Sequence, residues 1–227
     1  MGEPLPVGVI GARGNLGRVA CEWIEESPDF ELSATIRRDG SWNRLEGVVA
    51  CLDVTRAGLG AIHAERLLEM GIRPVVGTSG VTLEELQALR ELANSMELGG
   101  AVVPNFSVGF LAMARAASAA KGLLPEVQIT EVHRPAKLDT PSGTAARLCN
   151  SHSVRLDEVI TLRMQGVTAF HEYKLWGSDD VVTIRHESQG LLSFREGLLA
   201  SLRYACHASD FAYGLEQVMG DPCIVSH

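Results

Sequence analysis

Hydrophobic and polar positions follow two rhythms along the first hundred residues. Short apolar runs bounded by glycine or proline alternate with longer stretches whose apolar residues recur every three or four positions. The run Val7–Ile10 leads through "GARGNLG" into a stretch carrying Leu16, Val19, Ala20 and Trp23 at helical spacing. "FELSATIRRDG" alternates like a strand and ends in two arginines. "VVACLDV" is a third run, with a helix predicted near Ala61 to Met70. "RPVVGTSG" gives a fourth strand and "TLEELQALRELANSM" an amphipathic helix, opened by Thr82 and Glu85 in capping-box spacing. "GGAVVPNFS" is a fifth strand. Buried runs alternating with helices predict an α/β fold with a doubly wound parallel sheet.

After Ser107 the rhythm changes. "VGFLAMARAASAAKGLL" predicts a helix rich in small residues. "EVQITEVHR" and "VITLRMQGVTAFHEYKLWGSDDVVTIRHES" predict longer, more polar strands, and "REGLLASLRYACHAS" returns to helix. Residues 108–191 are therefore expected to form a second α+β domain, with 1–107 and 192–227 making the first.

Composition narrows the function classes. A chain of 227 residues, 46% hydrophobic and 21% charged, is expected to be an ordinary soluble protein. Its net charge of −8 argues against nucleic acid as the main ligand. Five scattered cysteines without a C-x-x-C pair suggest reduced thiols in the cytosol, not a disulfide frame or a zinc site. No apolar run approaches the roughly 20 residues that span a bilayer.

"GARGNLG" places Gly11, Gly14 and Gly17 after a strand and at a helix start, where the backbone can approach a pyrophosphate and helix N–H groups can meet its charge. In NAD-specific folds an acidic residue about 20 positions on holds the ribose. Here that spacing from Gly17 falls on Arg37, followed by Arg38. Arginines suit a 2′-phosphate, so NADPH is expected to be preferred over NADH. "GTSG" (Gly77–Gly80) and "PNFS" (Pro104–Ser107) follow strands of the same sheet, where ligands of such folds lie.

The densest chemistry is in "HRPAKLDTPSGTA", His133 to Ala145. Alternation puts Glu131 and His133 on one face with Val127 and Ile129. Lys137 follows in the loop. Thr140, Pro141, Ser142, Gly143 and Thr144 have the character of a helix start, with a hydroxyl cap, a proline in the first turn and N–H groups free to bind an anion. A proton donor, a cation and an anion cradle so close together suit proton delivery to an anionic substrate. "FHEY" and "RHES" also hold histidines, read as polar pairs on strands without metal-ligand spacing.

"EVHRPAKLDTPSGTA" resembles the signature of the 4-hydroxy-tetrahydrodipicolinate (dihydrodipicolinate) reductase family, and "GARGNLGR", "VVGTSG" and "PNFSVG" resemble further family motifs in the same order. The resemblance implies a Rossmann domain, a substrate domain whose sheet builds a homotetramer, and hydride transfer from NADPH or NADH to C4 of the substrate ring. It implies His133 as general acid, with Lys137 assisting and holding one carboxylate. Ser142, Gly143 and Thr144 are implied to cradle the other. Gly11, Gly14, Asn15 and Leu16 are implied to hold the pyrophosphate, and Thr55, Gly77, Thr78, Asn105 and Phe106 to pack around the nicotinamide.

The chain departs from the family pattern at several positions. Arg134 stands where the family has a second histidine, Leu191 where it has a substrate-binding arginine, and Val54 where it has an aromatic residue. A family segment is missing around Asn150–Glu158. Arg134 is expected to replace the lost substrate-binding charge. Two readings stay open beside the leading one: a reductase of another small dicarboxylate or imine, and a non-catalytic homologue, which retention of His133 and Lys137 disfavours.

Overall fold

The computed structural model describes residues 2–37, 40–137, 140–142, 144–145, 148–149, 154–167 and 169–220. Ten strands are described: β1 (Leu5–Ile10), β2 (Phe30–Ile36), β3 (Ala50–Asp53), β4 (Arg73–Val76), β5 (Gly100–Val102), β6 (Glu126–His133), β7 (Ile160–Arg163), β8 (Ala169–Trp176), β9 (Val181–Ser188) and β10 (Phe211–Tyr213). The helices are α1 (Asn15–Glu25), α2 (Gly60–Glu69), α3 (Leu83–Ser95), α4 (Val108–Lys121), α5 (Arg195–His207) and α6 (Leu215–Val218). The chain divides into two compact units. One runs to Phe106 and resumes at Phe194, and the other is Ser107–Ser193.

The first unit is a six-stranded parallel sheet in the order β10-β5-β4-β3-β1-β2. Strand β3 is buried at every position, as its unbroken apolar run requires when both faces are covered. Helix α1 buries Gly17, Ala20, Trp23 and Ile24; of the residues its helical spacing set apart, Ala20 and Trp23 are buried while Leu16 and Val19 are only half-buried. Gly17 is obligatory there: a β-carbon would overlap the Gly11 carbonyl oxygen. The capping box at α3 forms as expected, with Thr82 and Glu85 exchanging backbone N–H bonds of 2.8 and 3.1 Å.

One strand was not foreseen. β10, "FAY", is too short to show alternation, and it gains its place by pairing in parallel with β5 at the sheet edge.

The second unit is a four-stranded sheet, β7-β6-β8-β9, with β6 parallel to β7 and antiparallel to β8. Its core face presents Ile129, Tyr173 and Leu175 to Phe110, Met113 and Ala117 of α4 and to Leu148 and Cys149. Alternation along β6 continues this face past Ile129 to Glu131 and His133. The strand thus runs from apolar core into polar site without changing side. Among the described residues no helix is long and apolar enough to cross a membrane.

Candidate active site

In the first unit, strand ends, the loop leading into α1 and the start of α2 line a cavity of about 570 Å³, with Gly11, Arg13, Gly14, Arg37, Trp42, Val54, Thr55, Arg56 and His63 among its walls. Gly11 turns the chain with φ of +93°, a conformation glycine adopts freely. Gly14 caps α1, so Asn15 and Leu16 form the helix's first turn, with no acidic residue there to compete for an anion. Among the described residues three arginines line the cavity and no carboxylate does. Arg37 is one of them; Arg38 lies outside the described residues.

Three further loops end at the same edge of this sheet. Gly77 has no room for a β-carbon because the Phe106 ring fills the space, and Val54 closes the other side. Phe106 and Thr78 are buried, while Asn105 is half-buried. Buried hydroxyls of Thr55 and Thr78 have no hydrogen-bond partner among the described residues. Orphaned hydroxyls, a glycine cradle and cationic walls together fit a pyridine dinucleotide. Asp53, fully buried, is not a ribose ligand: it accepts from the Thr55 N–H at 2.8 Å and pairs with His63 at 2.9 Å.

The second unit holds His133, the residue expected to be the acid. His133 ends β6 at 8% exposure, two residues from fully buried Glu131. Across the sheet Glu131 stands beside Thr161 on one side and His171 on the other, and His171 stands beside His186. The Glu131 carboxylate accepts the Ser142 N–H at 2.9 Å, the Thr161 hydroxyl at 3.2 Å and the Ser142 hydroxyl. It faces Nδ1 of His133 at 3.6 Å and Nε2 of His171 at 3.7 Å. Burial, and then the charge of His133, push His171 down to about 3, so it stays neutral. Burial also lowers His186, whose Nε2 lies 3.2 Å from the Ser107 hydroxyl. The Phe110 ring meets both His171 and His186 edge-on. Donor atoms of Glu131, His133 and His171 come within 4.8 Å of one another, but the carboxylate already anchors Ser142 and Thr161, and we assign the three no metal.

The loop after His133 differs from its expected form at the helix start. The cap is Ser142, whose hydroxyl accepts from the Ala145 N–H at 3.1 Å. Thr140 instead accepts from Arg163 at 2.8 Å, so Pro141 precedes the cap and does not sit in the first turn. The reason is Glu131, which takes both polar groups of Ser142 and fixes where the helix begins. The Ser142 N–H is thereby committed to the protein. Thr144 follows in the first turn, and Gly143 lies outside the described residues. Arg163 also donates to the Lys137 carbonyl at 3.1 Å, tethering both ends of the loop. Lys137 is half-buried and Arg134 exposed, while Leu191, 37% exposed, opens a short turn before α5. Asn150 lies outside the described residues.

Sequence reasoning passed over His171, Thr161 and Arg163. His171 was read as part of a polar strand pair; only the β6–β8 register puts it against Glu131. A histidine two positions before a fully apolar-facing Tyr173 was the available signal, since both share the core face.

A parallel dinucleotide-type sheet, joined in one chain to a unit bearing a buried histidine and an anchored anion loop, defines a nicotinamide-dependent oxidoreductase. Models of the dihydrodipicolinate reductase N-terminus and C-terminus match residues 5–106 and 107–219, and the chain belongs to that family. The 4-hydroxy-tetrahydrodipicolinate reductase of Geobacillus thermodenitrificans is 30% identical, over 93% of this chain and 97% of that one. The enzyme of the same name from Lactococcus lactis is also 30% identical, over 95% and 97%. A dipicolinate-bound dihydrodipicolinate reductase from Paenisporosarcina superposes with a TM-score of 0.79 at 26% identity, covering 94% of this chain and 99% of that one. A diaminopimelate dehydrogenase from C. glutamicum, at 11% identity and a TM-score of 0.60, shares the fold.

Proposed function

We propose that the protein reduces 4-hydroxy-tetrahydrodipicolinate to tetrahydrodipicolinate with NAD(P)H, in the diaminopimelate and lysine pathway. The observation that carries this is His133, a nearly buried imidazole beside an anchored carboxylate at the head of an anion-binding loop, in a chain of this family. Water leaves the substrate, and one hydride and one proton are taken up. A reduced nicotinamide bound in the first unit supplies the hydride. Gly11, Gly14, Asn15 and Leu16 hold the pyrophosphate. Thr55, Gly77, Thr78, Asn105 and Phe106 surround the nicotinamide end. Arg37, with Arg38, binds a 2′-phosphate and gives NADPH preference.

His133 is the general acid. Hydride arriving at C4 of an unsaturated imine pushes electron density onto the adjacent carbon and nitrogen, and His133 delivers the proton that quenches it. Lys137 holds one substrate carboxylate and assists proton delivery. Gly143 and Thr144 offer backbone N–H groups to the other, with Ser142 holding the turn. Arg134 supplies the charge that Leu191 lacks. Ile160, Leu162 and Val181, exposed on the second unit's sheet, support assembly as a homotetramer, and reduced cysteines support a cytosolic setting.

The test is NADPH oxidation with substrate generated in situ from pyruvate and aspartate semialdehyde. Turnover inhibited by dipicolinate is expected. A protein that binds NADPH but turns over only a different dicarboxylate or imine would support the alternative substrate class, which the changes at Arg134 and Leu191 favour.

A further inference from the structure

The Glu131 carboxylate faces the His133 ring and also holds the start of the anion loop. It lies two residues before His133 on β6, so both side chains share a face. One oxygen accepts the Ser142 N–H and the Thr161 hydroxyl, at 2.9 and 3.2 Å. The other accepts the Ser142 hydroxyl, whose oxygen in turn accepts the Ala145 N–H. Both oxygens act as acceptors.

Resting on the function proposed above, we propose that Glu131 is the positioning residue of this site. It holds the His133 ring through Nδ1–H, leaving Nε2 to carry the working proton, and with the same carboxylate it fixes the turn at Ser142.

The argument for the tautomer is electrostatic. Nδ1 of His133 faces a carboxylate oxygen at 3.6 Å, and that approach is favourable only if Nδ1 bears hydrogen. In the neutral ring Nε2 is then the bare nitrogen, and it is the one that gains and gives the proton. A carboxylate behind an imidazole also stabilises the imidazolium, the logic by which such a partner serves a catalytic histidine. His171 presents Nε2 to the same oxygen at 3.7 Å. Buried and unpartnered otherwise, it too must offer a hydrogen, and its environment keeps it neutral. At neutral pH His171 is therefore no competing acid beside His133. Both separations lie just beyond hydrogen-bond length, as catalytic contacts often do before substrate binds.

The experiment is a double-mutant cycle in the NADPH oxidation assay, using Glu131→Gln, His133→Gln and the pair. The amide would present an N–H to Nδ1 and favour the wrong tautomer. Glu131→Gln is expected to lower kcat about tenfold or more, part of the 10²–10⁴ that a positioned acid supplies. In the His133→Gln background the same change should alter residual kcat by less than about twofold, because there is no ring left to position. An equal loss in both backgrounds, or no loss with His133 present, overturns the proposal. Should Glu131→Gln fail to fold, nitrogen NMR of the unaltered protein decides: the neutral His133 ring should carry its proton on Nδ1, and the Nε2–H form overturns the proposal. A His133→Gln enzyme with full kcat defeats the acid assignment itself, and the NMR result still decides whether Glu131 holds the ring.

Discussion

Ser142 gives both its backbone N–H and its hydroxyl to the Glu131 carboxylate, eleven residues earlier in the chain. A strand residue thus sets the start of the helix that follows the site loop. Removing the hydroxyl leaves a fully buried carboxylate short of one donor and the Ala145 N–H without its cap. Ser142→Ala should cost about 1–3 kcal/mol, the usual penalty for a buried polar group left unpaired. Urea unfolding checks this, and a loss under half a kcal/mol would mean water or a neighbour replaces the hydroxyl.

Arg37 lines the dinucleotide cavity with Arg13 and Arg56. Arg37→Asp should weaken NADPH binding by the equivalent of about 1.5–3 kcal/mol, the range for a hydrogen bond to a charged group, and leave NADH binding nearly unchanged. Titration of both nucleotides against both proteins measures it. An unaltered NADPH preference would remove Arg37 from the assignment.

His171 makes the fold sensitive to acid. Its value falls from 6.5 in the open chain to about 3 in the folded protein. Below pH 6.5 the unfolded chain binds a proton that the native state refuses, so stability is full above that pH and is lost as pH falls toward 3. Between pH 6.5 and 5 this amounts to about 2 kcal/mol, at 1.36 kcal/mol per unit. His171→Gln should lose about that much less than the parent over the same range in urea titrations. Parallel curves for the two proteins would contradict the neutral buried ring.

Much of this was legible in the chain. The five leading strands, their helices and the Thr82 capping box follow from periodicity and local chemistry, because β3 to β5 are buried along nearly their whole length and β2 alternates. β10 was not legible, since three residues carry no period and its partner lies a hundred residues away. In the site, His133, Lys137 and Ser142 stood within one loop and could be read together. His171, Thr161 and Arg163 come from other strands, and their meeting with Glu131 and the loop depends on a register that local sequence does not encode. The cap fell on Ser142 and not Thr140 because a buried partner outweighed the local preference for a hydroxyl before proline.

On the proposed assignment, Arg134 and Lys137 act on substrate differently. Arg134→Ala should raise KM by the equivalent of about 1.5–3 kcal/mol and spare kcat, since a charge that only binds acts alike in ground and transition states. Lys137→Ala should damage both constants, because its ammonium also faces the developing proton transfer. Normal substrate affinity in Arg134→Ala would leave that residue an exposed surface charge.

The most direct measurement compares His133→Gln with the parent enzyme in the NADPH oxidation assay at saturating substrate. A general acid acts only in the transition state, so kcat should fall by about 10²–10⁴ while KM changes little. A His133→Gln enzyme that keeps the parent kcat would contradict the account.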